Sequence, residues 1–260
     1  MRWSRKAIAL GATIALLLAL NQLVEHGLGA FQVNPYYARI LNLVGINITL
    51  AVSLNLINGL AGQFSIGHAG FMAVGGYAAT YLTVYHGREI AGLVGSTLDA
   101  DIGRTIVMIA SLAIGAIAAA LAGLLVGIPS LRLKGDYLAI VTLGFSEIIR
   151  VLILNIPAVG GATGFTDAVP ITNFFWIFAV AIFTIVLVRN ISTSTFGRAL
   201  AAIRGDEIAA EAMGVRTTRY KVMAFVVSAA CAGVAGGLSG QLFANPLNPQ
   251  NLNFVKSIEV

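Results

Sequence analysis

Residues Asn42–Ala79 read NLVGINITLAVSLNLINGLAGQFSIGHAGFMAVGGYAA. Apolar runs of about 20 residues match the hydrocarbon thickness of a bilayer. Two such runs, Tyr37–Leu60 and Ile66–Tyr85, meet inside this stretch. Yet Asn42, Asn47, Asn55, Asn58, Gln63, Ser65 and His68 make it more polar than an anchor needs. Amides in hydrocarbon are costly without partners, so these side chains are expected to face a bundle interior or a wet cavity. The glycines from Gly59 to Gly76 permit a broken helix or a close loop here. His68 has no Cys or Glu at ligand spacing, which excludes a metal site. An interior, hydrogen-bonded histidine is the ordinary reading, with titration or substrate binding as the alternative.

Composition extends the membrane reading to the whole chain. Of 260 residues 58% are hydrophobic and 10% charged, and the mean hydropathy is +0.87. A soluble domain carries roughly 25% charged residues. The expected fold is all-α, a polytopic integral membrane helix bundle of about seven spans. The other five expected spans are Ala7–Val24, Thr105–Ile128, Tyr137–Ile156, Thr172–Val188 and Lys221–Phe243. The first follows Arg2, Arg5 and Lys6 and lacks an Ala-x-Ala-like cleavage site, so it reads as a retained span rather than a signal peptide.

The net charge of +5 does not point to nucleic acid, because basic residues outside spans orient a membrane chain. With the amino terminus cytoplasmic, the inner connections hold Arg132, Lys134, Arg189, Arg198, Arg204, Arg216, Arg219 and Lys221 besides the first three. The outer ones hold Arg39, Arg88, Arg104 and Lys256. Eleven against four is a positive-inside bias. Cys231 is the only cysteine and lies in an apolar run, which excludes a disulfide framework and reads as a buried thiol.

Gly115, Ala119, Gly123 and Gly127 recur every fourth residue, as do Gly233 with Gly237 and Gly236 with Gly240. Small residues at this spacing let helix backbones approach closely in lipid. Static packing is the plain reading and a sliding surface the alternative. Glu147 and Arg150 stand three apart within an expected span, hence on one helix face. Mutual pairing is expected, and a proton relay is the alternative.

Between the last two spans lies GDEIAAEAMGV, Gly205–Val215. Asp206 is placed as an N-cap, Glu207 and Glu211 favour the positive end of the helix dipole, and Gly214 is a natural stop. Ile208, Ala209, Ala212 and Met213 share one side. A helix of about two turns cannot span a membrane. Its small-residue face suits docking into a groove on another protein. The alternative is a helix lying on the membrane, which its acidic face opposes near anionic lipid.

That loop resembles the coupling segment of ABC importer permeases, an E-A-A followed shortly by glycine; here AAEAMG runs from Ala209 to Gly214. SLNLINGLAGQFSIGHAGFMAVGGYAA (Ser53–Ala79), LRLKGDYLAIVTLGFSEIIR (Leu131–Arg150) and FGRALAAIRGDEIAAEAMGVRTTRYKVMAFVVSAACAGVAGGL (Phe196–Leu238) resemble the branched-chain amino acid permease family LivH/LivM, in its LivM-type form. The resemblance implies one permease domain over residues 1–260, and an importer for branched-chain amino acids in the bacterial inner membrane. A LivH-type second permease, two ATPase subunits and an extracytoplasmic binding protein would be its partners. Asp206, Glu207, Ile208, Ala209, Ala210, Glu211, Ala212, Met213 and Gly214 would then couple to the ATPase. Asn47, Asn55, Asn58, Gln63, Ser65 and His68 would be candidates for the translocation path.

The chain has no GxxxxGK[ST] loop, so by that route ATP and magnesium belong to the partner subunits, and no cofactor is expected here. No set of catalytic side chains suggests an enzyme. Relatives in the family carry urea, short amides or other amino acids; a secondary transporter or channel is the more distant alternative. Family members continue through further spans after the stretch resembling NFVKSIEV (Asn253–Val260), so the chain is expected to be incomplete at its carboxyl end. GGATGFTDAVP (Gly160–Pro170) departs from the family's commoner TGGPNGI-like wording and leaves the role of that loop open.

Overall fold

The computed structural model describes residues 2–25, 34–87, 89, 100–130, 136–165, 170–242 and 247–259. Arg88, Arg132, Lys134 and Phe243 lie outside them, as do residues 166–169 of the Gly160–Pro170 segment. The long helices are α1 (Arg2–Glu25), α2 (Pro35–Asn55), α3 (His68–Tyr85), α4 (Ala100–Ser130), α5 (Asp136–Leu154) and α6 (Phe174–Thr193). They are followed by two short ones, α7 (Thr195–Gly205) and α8 (Glu207–Ala212), then α9 (Thr217–Gly240) and the short α10 (Phe254–Glu259). No strand is present among the described residues, only an isolated bridge between Phe165 and Leu247. The fold is an all-α membrane bundle.

Five stretches are long and apolar enough to cross a membrane: Pro35–Leu60, Ile102–Ser130, Tyr137–Leu154, Phe174–Thr193 and Thr217–Gly240. They answer to five of the expected spans. In α1 the apolar stretch is the shorter Gly11–Val24. Helix α3 is diluted by His68, glycines, threonines and tyrosines, and it is also the helix most enclosed by protein. A helix wrapped by other helices does not meet lipid, so it can be less apolar than one that does.

Packing runs deepest where α3, α4 and α9 meet. A Cβ on Gly75 would lie 2.1 Å from the Gly233 Cα. One on Gly233 would lie 2.7 Å from the Gly115 carbonyl oxygen, and one on Gly115 would lie 2.7 Å from that of Gly75. Three backbones touch at this point because none carries a side chain. Lipid gives helices no hydrophobic drive to associate, so close dispersion contact of this kind must hold them. The far side of α4 presents Ile117, Leu121 and Leu125 outward, as lipid requires.

Contacts fix the helix directions. Phe71 meets Phe225 and Thr80 meets Gly240, so α3 and α9 run parallel. Gly123 packs on Ala229 while Ser111 bonds Gln241, so α4 runs against them. Thr142 and Ser146 of α5 track Gly67 and Gly70, parallel to α3. Asn21, late in α1, accepts a hydrogen bond from the Phe175 amide at the start of α6. Helices α2, α4 and α6 therefore run towards the end that carries α7 and α8, and α1, α3, α5 and α9 run away from it. Tyr77, Tyr81, Tyr85 and Phe165 cluster at the opposite end, a placement suited to a membrane interface.

Several buried hydroxyls are satisfied inside their own helix. Thr49 donates to the Gly45 carbonyl, Ser53 to Leu50, Ser111 to Met108, Thr142 to Ala139 and Thr184 to Val180. Such back-bonding allows polar residues in a dry bundle without water. One sequence expectation is corrected. Lys256, assigned to an outer connection, stands on α10, which packs beside the beginning of α3, where Ser257 Oγ accepts from the Ala69 amide at 2.8 Å. Residues 247–259 thus descend along α3 rather than cap its far end: Leu247 accepts from the Tyr77 hydroxyl, and Ser257 reaches Ala69.

Candidate functional site

At the end of the bundle where α2 and α6 finish, α8 rests on the packed helices by one side and is exposed on the other. Six residues are too few to be stable as an isolated helix, so its ends are closed by specific bonds. Asp206 Oδ1 accepts from the Ile208 and Ala209 amides at 2.9 and 3.1 Å. At the other end Gly214 takes φ +85°. The Gly214 amide bonds the Glu211 carbonyl at 2.9 Å and the Val215 amide bonds the Ala210 carbonyl at 3.0 Å. This pair of reversed bonds around a left-handed glycine is the Schellman closure. The expected N-cap and stop are both observed.

Between those caps the helix has two unlike sides. Ala210 is buried against Leu200, Ile203, Leu56 and Ala224, so it cannot meet a partner. Ile208, Ala209, Ala212 and Met213 are exposed, Met213 by 85%. They form the small and apolar side expected from the sequence. Glu211 is exposed, whereas Glu207 turns in to Lys221 at 2.7 Å. Beside the helix opens a cleft of about 560 Å³ lined by Phe196, Met213, Val215, Arg216, Arg219 and Tyr220. It offers an aromatic and basic rim to whatever covers α8.

The polar turn lies directly behind. Helix α2 ends in a π-turn, Leu56–Leu60, and Gly62 takes φ +66° before the chain enters α3. The expected break in the helix is therefore present. Asn58 Oδ1 accepts from the Ser65 amide at 3.1 Å, and Thr142 Oγ1 of α5 accepts from the Ile66 amide at 3.2 Å. Gln63 is half-buried beside the Ala61 carbonyl.

His68 is buried, with Nε2 2.8 Å from Ser53 Oγ. Because Ser53 already donates to Leu50, His68 is assigned as donor from Nε2. Its Nδ1 has no partner among the described residues. This is the interior histidine of the ordinary reading, clasped between α2 and α3.

The six proposed path residues differ in their burial. Ser65 and His68 are buried in packing, while Asn58, Gln63 and Asn47 are half-buried. Asn55 is exposed on the single chain. None of the six lines the 560 Å³ cleft or the apolar cleft of about 400 Å³ between α4, α6 and α9. Glu147 and Arg150 do pair on α5, Nε to Oε2 at 2.7 Å, each side chain 27% exposed. No group of three or more metal-binding side chains occurs among the described residues.

Sequence reasoning missed two contacts: Lys221 with Glu207, and Arg204 Nη1 donating to the Gly59 carbonyl at 2.6 Å. A signal for the first existed. A lysine at the start of an apolar helix needs a carboxylate, and Glu207 and Glu211 are the nearest in the chain.

Residues 36–254 match the family model for the permease component of branched-chain amino acid transport systems. The chain belongs to that family. It is 32% identical over 291 residues to the high-affinity branched-chain amino acid transport system permease protein LivM of Salmonella typhimurium, covering 95% of this chain and 62% of the relative. The LivM protein of Escherichia coli is 33% identical over 264 residues, covering 87% and 57%. A probable LivM permease of Methanocaldococcus jannaschii is 28% identical over 221 residues, covering 75% and 64%. The chain thus spans under two thirds of the length of these curated relatives. No solved structure matches it. Membership in a permease family and the apolar helices together make this a multi-pass membrane protein.

Proposed function

We propose that the chain is a permease subunit of an ATP-driven importer for branched-chain amino acids, and that α8 is its docking helix for the ATPase. The observation that carries this reading is a six-residue helix, closed at both ends, that holds Ile208, Ala209, Ala212 and Met213 outward beside an arginine-rimmed cleft. A rigid apolar knob with a basic rim has the form of a helix presented to a groove. The α8 end is the cytoplasmic one in this proposal, since Arg189, Arg198, Arg204, Arg216, Arg219 and Lys221 gather there. The alternating helix directions support seven crossings with the amino terminus inside, in a bacterial inner membrane. ATP and magnesium bind on two separate ATPase subunits, and a binding protein delivers the amino acid outside. The path then runs along a second, LivH-type permease, which accounts for the outward placement of Asn55 and the partial exposure of Asn47 on α2.

Ala212→Trp tests the docking assignment. Normal membrane insertion with lost ATPase co-purification and lost transport is expected. With Cys231→Ser as background, Ala209→Cys is the crosslinking probe, because Ala209 is exposed and Ala210 is not. Normal transport by Ala212→Trp, with no crosslink formed from Ala209→Cys, overturns the assignment. ATP-dependent uptake of leucine, isoleucine or valine, measured against urea and short amides, tests the substrate.

A further inference from the structure

Besides the Arg204 bond to the Gly59 carbonyl, two kinds of contact join α7 and α8 to the bundle. The first is an apolar patch, where Leu200, Ile203 and Ala210 meet Leu56 and Ala224. The second is ionic. Lys221, one turn into α9, has a side chain only 2% exposed, and its ammonium lies 2.7 Å from Glu207 Oε1 on α8. Burial on this scale strands a charge if the partner leaves. An apolar patch resists separation but is non-directional and allows slip. The ion pair does not allow slip, because a shift of a few ångströms would leave the ammonium dry and unpaired.

The pair is not needed to close α8. Asp206 and the Gly214 turn already satisfy both ends of the helix. Its consequence is registry between α8 and α9. Helix α9 is in turn the most enclosed of the long crossing stretches, and its Gly233 and Gly236 touch the backbones of α3 and α4. Interiors packed to that closeness transmit displacement instead of absorbing it.

We propose that the Glu207–Lys221 pair is the positioning contact through which movement of α8 passes into α9 and the core of the bundle. The inference rests on the docking reading above. Arg204 makes a parallel contact, from α7 to the Gly59 carbonyl in the polar turn, but it is exposed and its loss strands nothing.

The test uses the chain assembled with its ATPase. Lys221→Met keeps the apolar stem and removes the ammonium. Yield and ATPase co-purification should stay within about twofold of the parent, while substrate-stimulated ATP hydrolysis and transport fall about tenfold, a typical coupling magnitude. Glu207→Lys combined with Lys221→Glu should restore most of both. Glu207→Gln, which keeps an acceptor for the ammonium, should lose about threefold and serves if Lys221→Met does not accumulate. Unimpaired stimulation in Lys221→Met or Glu207→Gln, or no rescue by the exchanged pair, overturns the proposal. So does loss of ATPase binding as complete as in Ala212→Trp, since the pair would then merely hold α8 in place. Normal ATPase binding by Ala212→Trp instead removes the docking reading on which the inference rests.

Discussion

The junction of α3, α4 and α9 and the segment formed by α7 and α8 are held by opposite means. At the junction three glycine backbones touch, and the bonds that matter are dispersion contacts between atoms with no charge. In the segment an N-cap, a left-handed glycine, an ion pair and a guanidinium-to-carbonyl bond hold two short helices in place. The first region is specified by volume, and any atom added there must displace a backbone. The second adds charge and hydrogen bonding to the apolar patch of Leu200, Ile203 and Ala210, and tolerates volume on its outer side. The boundary between the two falls at Lys221, where a buried ammonium belongs to both.

The largest effect should come from adding volume at the junction. Gly233→Leu places four carbons where a single Cβ already lies 2.4 Å from the Ala119 Cβ and 2.7 Å from the Gly115 carbonyl oxygen. Overpacking commonly costs about 1–3 kcal/mol when side chains can shift, and here backbone must move. Monodisperse protein in detergent chromatography should fall by about tenfold or more. Gly144→Leu is the control, because nothing lies within 4 Å of a Cβ there. Equal loss in both variants would show that glycine content, and not the triple contact, holds the bundle.

Much of this contrast was legible in the sequence. The four-residue spacing of Gly115, Ala119 and Gly123, and of Gly233 and Gly237, pointed to close helix packing. Asp206 and Gly214 carried the caps of α8 in their chemistry alone. What the sequence could not place were contacts between residues far apart in the chain. Glu207 and Lys221 are 14 residues apart, and only the Gly214 turn brings them together. The exposure of Asn55 at the end of α2 was likewise not legible, because its amide could answer to a bundle interior or to a wet cavity. Lys256 was misplaced because a connection was assumed where the chain folds back along α3. Periodicity reports which residues share a face, not which neighbour that face meets.

Next in size is the half-buried pair on α5. Glu147→Gln leaves Arg150 without its carboxylate, and partial exposure should reduce the penalty from the 3–5 kcal/mol of a fully buried pair to about 2 kcal/mol. Thermal unfolding in detergent should show a lower midpoint in Glu147→Gln and a partial return when Arg150→Gln is added. Lost transport with an unchanged midpoint would move the pair from structure to proton relay. Smaller again is Gly214→Val, where φ +85° is imposed on a β-branched residue at a cost of about 1–2 kcal/mol. Faster labelling of an Ala209→Cys probe is its expected readout, with bundle stability unchanged. A shift in global stability instead would show that the segment is part of the core.

The smallest effect separates the two regions most cleanly. Asp206 is exposed, and its carboxylate accepts from the amides of Ile208 and Ala209, both at the start of α8. Removing its side chain creates no cavity, so a volume argument predicts nothing. The hydrogen-bond argument predicts that Asp206→Ala loosens α8 by about 1 kcal/mol, because two amides lose their acceptor. At RT near 0.6 kcal/mol that is about fivefold faster hydrogen exchange at Ile208 and Ala209. Exchange in α3 and α9 should not change. Asp206→Asn keeps an oxygen in the same place and should stay close to the parent. If Asp206→Ala also accelerates exchange at Gly233 and its neighbours, α8 and the junction unfold as one unit. In that case the distinction between a core held by shape and a segment held by bonds does not survive.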